Sequence, residues 1–151
     1  MNAPAPEALR LIRAWYRLQQ ATAAFGRHVE RTFGVTGEQL ALLRIVAERG
    51  TWPMKELREH LVMHPATLGQ ALDRLAARGL VTLRADPADR RRRLVTATAE
   101  GRELLARVPP VGPGRLRSVS ADPGALARVA AAFEEAVSLF GMERWADDPR
   151  D

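Results

Sequence analysis

Between residues 7 and 33 apolar side chains recur at helical spacing: Leu11, Trp15, Leu18, Phe25, Val29 and Phe33, with Ile12 and Tyr16 widening the stripe. No proline interrupts the run, and Gly34 follows it as a natural stop. The pattern predicts one helix roughly 40 Å long. That exceeds what a domain of this size needs for its own core, so something else must cover part of the stripe. Thr36-Gly37-Glu38-Gln39 then opens a second helix as a capping box, with Leu40, Leu43, Val46 and Ala47 as its buried face and Gly50 as its end.

Thr51-Trp52 reads as a very short strand before Pro53. The helix after it turns Met54, Leu57 and Leu61 inward and Lys55, Glu56 and Glu59 outward. Residues 62–64 form a break, and Pro65 occupies the first position of another helix, where its missing N–H costs nothing. In this helix Leu68, Ala71, Leu72 and Leu75 face a core, and Gly79 closes it. Residues 80–84 alternate, residues 85–90 make a turn rich in Asp and Pro, and residues 93–97 pair back as a hairpin. Thr98 caps a helix through Leu104, Leu105 and Val108, which Pro109-Pro110 breaks. Asp122-Pro123 starts the last helix, with Leu126, Val129, Ala130, Phe133, Val137 and Phe140 along one side, and the tail after Trp145 is acidic and frayed.

These elements describe a mainly α chain. A short helix (53–61), a tight break and a second helix (65–78) make a helix-turn-helix, and the hairpin (80–97) makes it winged. Residues 1–151 form one unit, with a winged helix-turn-helix lobe at 36–97 between dimerisation helices at 7–33 and 99–145. Composition agrees with a single globular domain: 151 residues, 46% apolar and 27% charged. No apolar run approaches the ~18 residues of a membrane span, and the N-terminus lacks a signal pattern, so the expected location is cytoplasmic. The chain has no cysteine, which removes disulfide scaffolds, thiol chemistry and Cys-based zinc sites.

Charge matters once it is located. The net charge is +5, and residues 64–93 hold seven Arg and three Asp, a local +4. A general preference for Arg explains the choice of Arg over Lys but not this clustering. The segment reads as an electrostatic footprint for a polyanion. With its leucines buried, the second helix of the pair directs Ala66, Thr67, Gly69, Gln70 and Arg74 outward. Gln can make a bidentate contact to adenine, Thr can meet a thymine methyl or a phosphate, and Arg can take guanine or phosphate. In the hairpin, Arg84 and the run Arg90, Arg91, Arg92 and Arg93 carry the charge. Four like charges in a row are favoured beside a polyanion, and a narrow minor groove is one place that takes Arg. Strand alternation places Arg91 and Arg93 on one side and Arg90 and Arg92 on the other, with Asp89 oriented to hold the Arg91 guanidinium.

Gly79, Leu80 and Val81, then Asp86, Pro87, Asp89 and Arg91, then Val95, Thr98, Gly101 and Leu104 together resemble the wing signature of MarR-type regulators. Upstream, Pro65, Thr67, Asp73, Arg74 and Leu75 are similar to that family's recognition helix, although Pro109-Pro110 interrupts a helix that usually runs longer. The resemblance covers about residues 7–141. It implies a homodimer with interleaved terminal helices, a palindromic double-stranded DNA operator, and Arg91 entering the minor groove. It also implies a small aromatic or anionic effector in a pocket to which Trp15, Tyr16, His28 and Arg44 contribute. The long terminal helices are an independent reason to expect a dimer.

Glu56, His60 and His64 recur at metal-ligand spacing, but Pro65 and the preceding break take His64 off the helix, so no metal is expected. No catalytic set and no cofactor loop survives placement, so the reading is a regulator, most simply a repressor, and not an enzyme. The alternative is a winged-helix architectural or replication-associated DNA-binding protein without an effector. A protein of the same fold that has lost DNA binding is a third reading.

Overall fold

The computed structural model describes residues 5–61, 65–117 and 120–146. Helix α1 (Pro6–Phe33) has proline in its first turn and ends at Gly34, whose N–H returns to the Glu30 carbonyl at 2.8 Å. Of its apolar stripe only Val29 is fully buried, with Phe25 and Phe33 packed beside it. The N-terminal part stays open: Trp15 is 37% exposed and Tyr16 is 56% exposed. Single-chain packing therefore covers one end of α1 and leaves the rest uncovered.

Helix α2 (Gly37–Arg49) begins with the expected capping box: the Thr36 hydroxyl accepts from the Gln39 N–H, and the Gln39 side chain accepts from the Thr36 N–H, each at 3.1 Å. Its buried face is wider than the sequence predicts. Leu42 is buried with Leu40, Leu43 and Val46, while Ala47 is only half-buried. The reason is position: α2 is packed from several sides, by α1, α4, α5 and strands β1 and β3.

Strand β1 (Thr51–Pro53) leads into α3 (Met54–His60), and Leu61 leaves that helix in an extended conformation. The break at 62–64 lies outside the described residues. Helix α4 (Pro65–Ala77) follows, burying Leu68, Ala71, Leu72 and Leu75 as expected. Strands β2 (Val81–Ala85) and β3 (Arg93–Ala97) make the hairpin, and β1 joins on the far side of β3, giving an antiparallel order β1-β3-β2. In this register Trp52 lies opposite Val95, and Leu83 lies opposite Val95 on the other side. Both Trp52 and Val95 are buried, so the small sheet closes one end of the core.

Helix α5 (Ala99–Arg107) starts at Thr98, whose hydroxyl accepts from the Gly101 N–H at 3.0 Å and donates to the Gly79 carbonyl at 2.6 Å. Although grouped by sequence with the C-terminal arm, α5 buries Leu104 in the lobe core, and Val108 just after it is buried there too. A short 3-10 helix (Gly112–Arg117) intervenes before α6 (Pro123–Leu139), which Asp122 caps through the Ala125 N–H at 2.8 Å. A last turn, α7 (Glu143–Ala146), follows, and the acidic tail beyond it lies outside the described residues. The Glu143 carboxyl is held below the usual carboxylate range by its own backbone N–H and by the Ser138 hydroxyl.

No residue of α6 is buried. Phe133 and Val129 are each 54% exposed, although Phe140 reaches Trp15 of α1 edge-on at 5.7 Å. Among the described residues, no helix is long and apolar enough to cross a membrane.

Candidate nucleic-acid interface

The heptad-like leucines of α4 decide what it presents. Burying one face against α2 and β2 leaves Pro65, Ala66, Thr67, Gln70, Asp73 and Arg74 exposed on the other. Gly69 is half-buried, and a side chain there would meet nothing within 4 Å. The face is thus low at its centre and polar at Thr67, Gln70 and Arg74, a shape that lets a duplex edge approach closely.

The wing tip is ordered by its carboxylates. Asp86 accepts from the Ala88 N–H at 2.9 Å, and its own N–H donates to the Arg92 carbonyl at 2.9 Å. The Arg92 N–H donates to the Asp89 carbonyl at 2.8 Å. Residues 90–92 therefore lie in the turn rather than in β3, and strand alternation does not apply to Arg90, Arg91 and Arg92. Only Arg93 belongs to the strand. All four are exposed, as is Arg84 near the end of β2.

Asp89 also departs from expectation. One carboxylate oxygen accepts from the Arg91 backbone N–H at 3.1 Å, and the other lies 3.5 Å from Nε of Arg92. It fixes the Arg91 backbone and the Arg92 guanidinium, leaving the Arg91 guanidinium outside the pair. The physical reason is the tightness of the turn, which brings the i+2 amide to the carboxylate first. Asp89→Asn, which keeps an acceptor for that N–H, is expected to bind DNA at least as well as the parent. Asp89→Ala is expected to bind several-fold more weakly despite losing a negative charge, and titration of both on one duplex checks the order.

Arg91, Arg92 and Arg93 border a cleft of about 530 Å³ whose other wall is α3, with Lys55 and Arg58. The sequence reading did not count these two among the candidate DNA-facing residues. The only signal was weak: Lys55 is the one lysine of the chain.

The residues of the metal-like pattern are engaged otherwise. Glu56 pairs with Arg49 at 2.5 Å, and the His60 ring packs on Trp52 at 5.1 Å. His64 lies outside the described residues. Nor does the structure gather Trp15, Tyr16, His28 and Arg44 into one pocket. Trp15 and Tyr16 border a cleft of about 890 Å³ between α1 and the α6–α7 region, with Phe133, Phe140 and Trp145. Arg44 borders a smaller one of about 380 Å³ with Thr22 and Phe25, and donates to the Pro109 carbonyl at 3.4 Å. His28 borders neither and meets Phe33 edge-on at 6.4 Å. Trp15 and His28 are more than three helical turns apart, about 20 Å along α1, which no small ligand spans.

Residues 33–92 match the family model described as the MarR family. The transcriptional regulator HosA of Escherichia coli O111:H- is 42% identical over 78 residues, covering 52% of this chain and 58% of HosA. HosA of E. coli O157:H7 is 41% identical over the same length. The match thus spans little more than half the length of these relatives. Three solved structures share the fold. AbsC, a MarR family transcriptional regulator from Streptomyces coelicolor, superposes with a TM-score of 0.64 at 18% identity, over 93% of this chain and 98% of AbsC. Sco3205 of the same organism, solved in complex with DNA, gives 0.62 at 22% over 87% and 89%. BpsR of Bordetella bronchiseptica gives 0.62 at 24% over 90% and 96%.

Proposed function

We propose that this chain is a cytoplasmic, DNA-binding transcription regulator of the MarR type that works as a homodimer and represses from a palindromic operator, a reading supported by the match of residues 33–92 to the MarR family model. The observation that carries the reading is the exposed polar face of α4 beside the arginine tip of the wing. A base-reading helix and a cationic strand pair, held on one core, can engage a major groove and its neighbouring minor groove together. HosA is a transcriptional regulator and Sco3205 was solved bound to DNA, which supports the same reading here. The proteins matched are regulators and not enzymes.

In this reading Thr67, Gln70 and Arg74 face bases, and Arg84 and Arg90 to Arg93 face phosphate and minor groove. Pro65, Ala66 and Gly69 allow the close approach, and Asp89 shapes the tip. Gln70→Ala is expected to lose about 1–3 kcal/mol on the cognate duplex and little on random DNA. Competition titrations at one stated salt concentration measure both, and equal losses on the two duplexes would mean that Gln70 reads no base.

The uncovered stripes of α1 and α6 support the dimer, since apolar faces of this extent are rarely left open to water. Sedimentation at micromolar concentration is expected to return about twice 16.7 kDa. A folded monomer there contradicts the interleaved arms. A small aromatic or anionic effector that relieves repression completes the proposal. In BpsR, DNA binding is regulated by 6-hydroxynicotinic acid, and in this chain the aromatic cleft at Trp15 and Tyr16 or the one at Arg44 has the matching chemistry.

A further inference from the structure

One of the seven arginines in the basic segment is turned away from the interface. Arg78, immediately after α4, donates from Nη2 to the Phe33 carbonyl at 2.9 Å and from Nη1 to the Gly34 carbonyl. These oxygens sit at the C-terminal end of α1, where carbonyls lack intrahelical partners and a cation is favoured. Gly34 has φ 68°, and a Cβ built on it would collide with the Arg78 guanidinium. The fork passes only because that position carries no side chain.

Both ends of this link are held. Phe33 lies under the Arg107 guanidinium of α5 at 5.8 Å, and the packing of α1 on the lobe runs through α2. On the other side the Arg78 N–H donates to the Arg74 carbonyl at 3.3 Å, one turn from the side chain placed at the bases. A planar guanidinium can serve two adjacent carbonyls at once, which a lysine ammonium on a flexible stem cannot do with the same geometry.

We infer that Arg78 is a positioning residue: it clamps the C-terminal end of α4 to the long arm α1 and thereby sets the separation of the two reading helices in the dimer. It contributes no contact to DNA. Its consequence for operator choice rests on the regulator reading above, whereas the clamp itself does not. Helix α4 is about 20 Å long, so a tilt of about 3° at its C-terminal end moves its first turn by about 1 Å. A two-fold dimer applies that shift at both half-sites, whose centres lie about one helical turn apart.

Two measurements test this. The chain has no cysteine, so Ala24→Cys on α1 and Asp73→Cys on α4 accept spin labels cleanly. Labelled chain diluted into excess unlabelled chain then reports the α1–α4 distance by pulsed dipolar spectroscopy, without DNA. The parent is expected to give one narrow distance, Arg78→Gln a broadened or shifted one, and Arg78→Lys no full recovery. The second measurement compares an inverted repeat selected from random duplex DNA with the same repeat carrying one inserted base pair. The parent discriminates between them, and Arg78→Gln is expected to lose about tenfold of that discrimination with its salt slope unchanged.

An unchanged distance distribution overturns the clamp, even if the melting temperature falls. A salt slope lowered by about 0.9 per arginine overturns it too, because Arg78 is then a phosphate contact. If the parent binds no duplex, the regulator reading fails, and the spin-label distance still decides the clamp.

Discussion

Arg91→Ala is expected to weaken binding to the cognate duplex by at least about 100-fold while leaving the fold and assembly state intact. The wing turn presents Arg91 at its tip, and Asp89 holds the backbone of that residue at 3.1 Å while its other oxygen takes the Arg92 guanidinium. The Arg91 side chain is thus exposed on a fixed backbone, directed by the turn and not neutralised by the neighbouring carboxylate. A charge-assisted hydrogen bond contributes about 1.5–3 kcal/mol, and a dimer loses two. If the contact is to phosphate, the slope of log K against log salt falls by about 0.9 for each of the two. The melting temperature should hardly move, because exposed substitutions away from packing features usually stay within about 0.5 kcal/mol. A variant that binds as the parent does at every salt concentration would remove the wing from the interface.

Gly101→Ala is expected to destabilise the lobe by about 3 kcal/mol, lowering the melting temperature by roughly 10 °C. A Cβ at this position would run into the Leu80 carbonyl oxygen and stand 3.2 Å from Cδ1 of Leu43. The Leu80 carbonyl cannot easily retreat, since it accepts the Thr98 N–H at 3.1 Å and sits between the end of α4 and β2. The Thr98 hydroxyl donates to the Gly79 carbonyl and accepts from the Gly101 N–H, so the hairpin, the end of α4 and α5 are joined at one point. Thermal melting followed by circular dichroism checks this, and an unchanged transition would show that α5 can lift off without cost.

Local rules made most of this architecture legible in the sequence alone. Capping residues at Thr36, Thr98 and Asp122 marked three helix starts, and each side chain accepts the expected backbone N–H. The leucine spacing of α4 identified both its buried and its presented face. What spacing could not reveal were contacts between residues distant in sequence. Arg78 looked like one more charge of a basic segment, and its partners lie 44 and 45 residues away. Leu42 is buried because α2 is surrounded on several sides, which no single-helix periodicity shows. Trp15, Tyr16, His28 and Arg44 were grouped by chemical type, and the length of α1 separates them. At the wing the error was of another kind: alternation was extended past the strand into a turn, where carboxylate and amide geometry governs direction instead.

Sequence-specific recognition of duplex DNA is the property on which the proposed function depends most directly. Purified protein can be taken through rounds of selection on random double-stranded DNA at fixed salt, with the bound fraction sequenced. The expected result is enrichment of one inverted repeat whose half-sites lie about one helical turn apart, bound about 10³-fold or more tighter than unselected DNA. Recovery of no common sequence, with equal affinity for selected and unselected duplexes, would contradict the regulator reading and leave the arginine wing a sequence-independent contact.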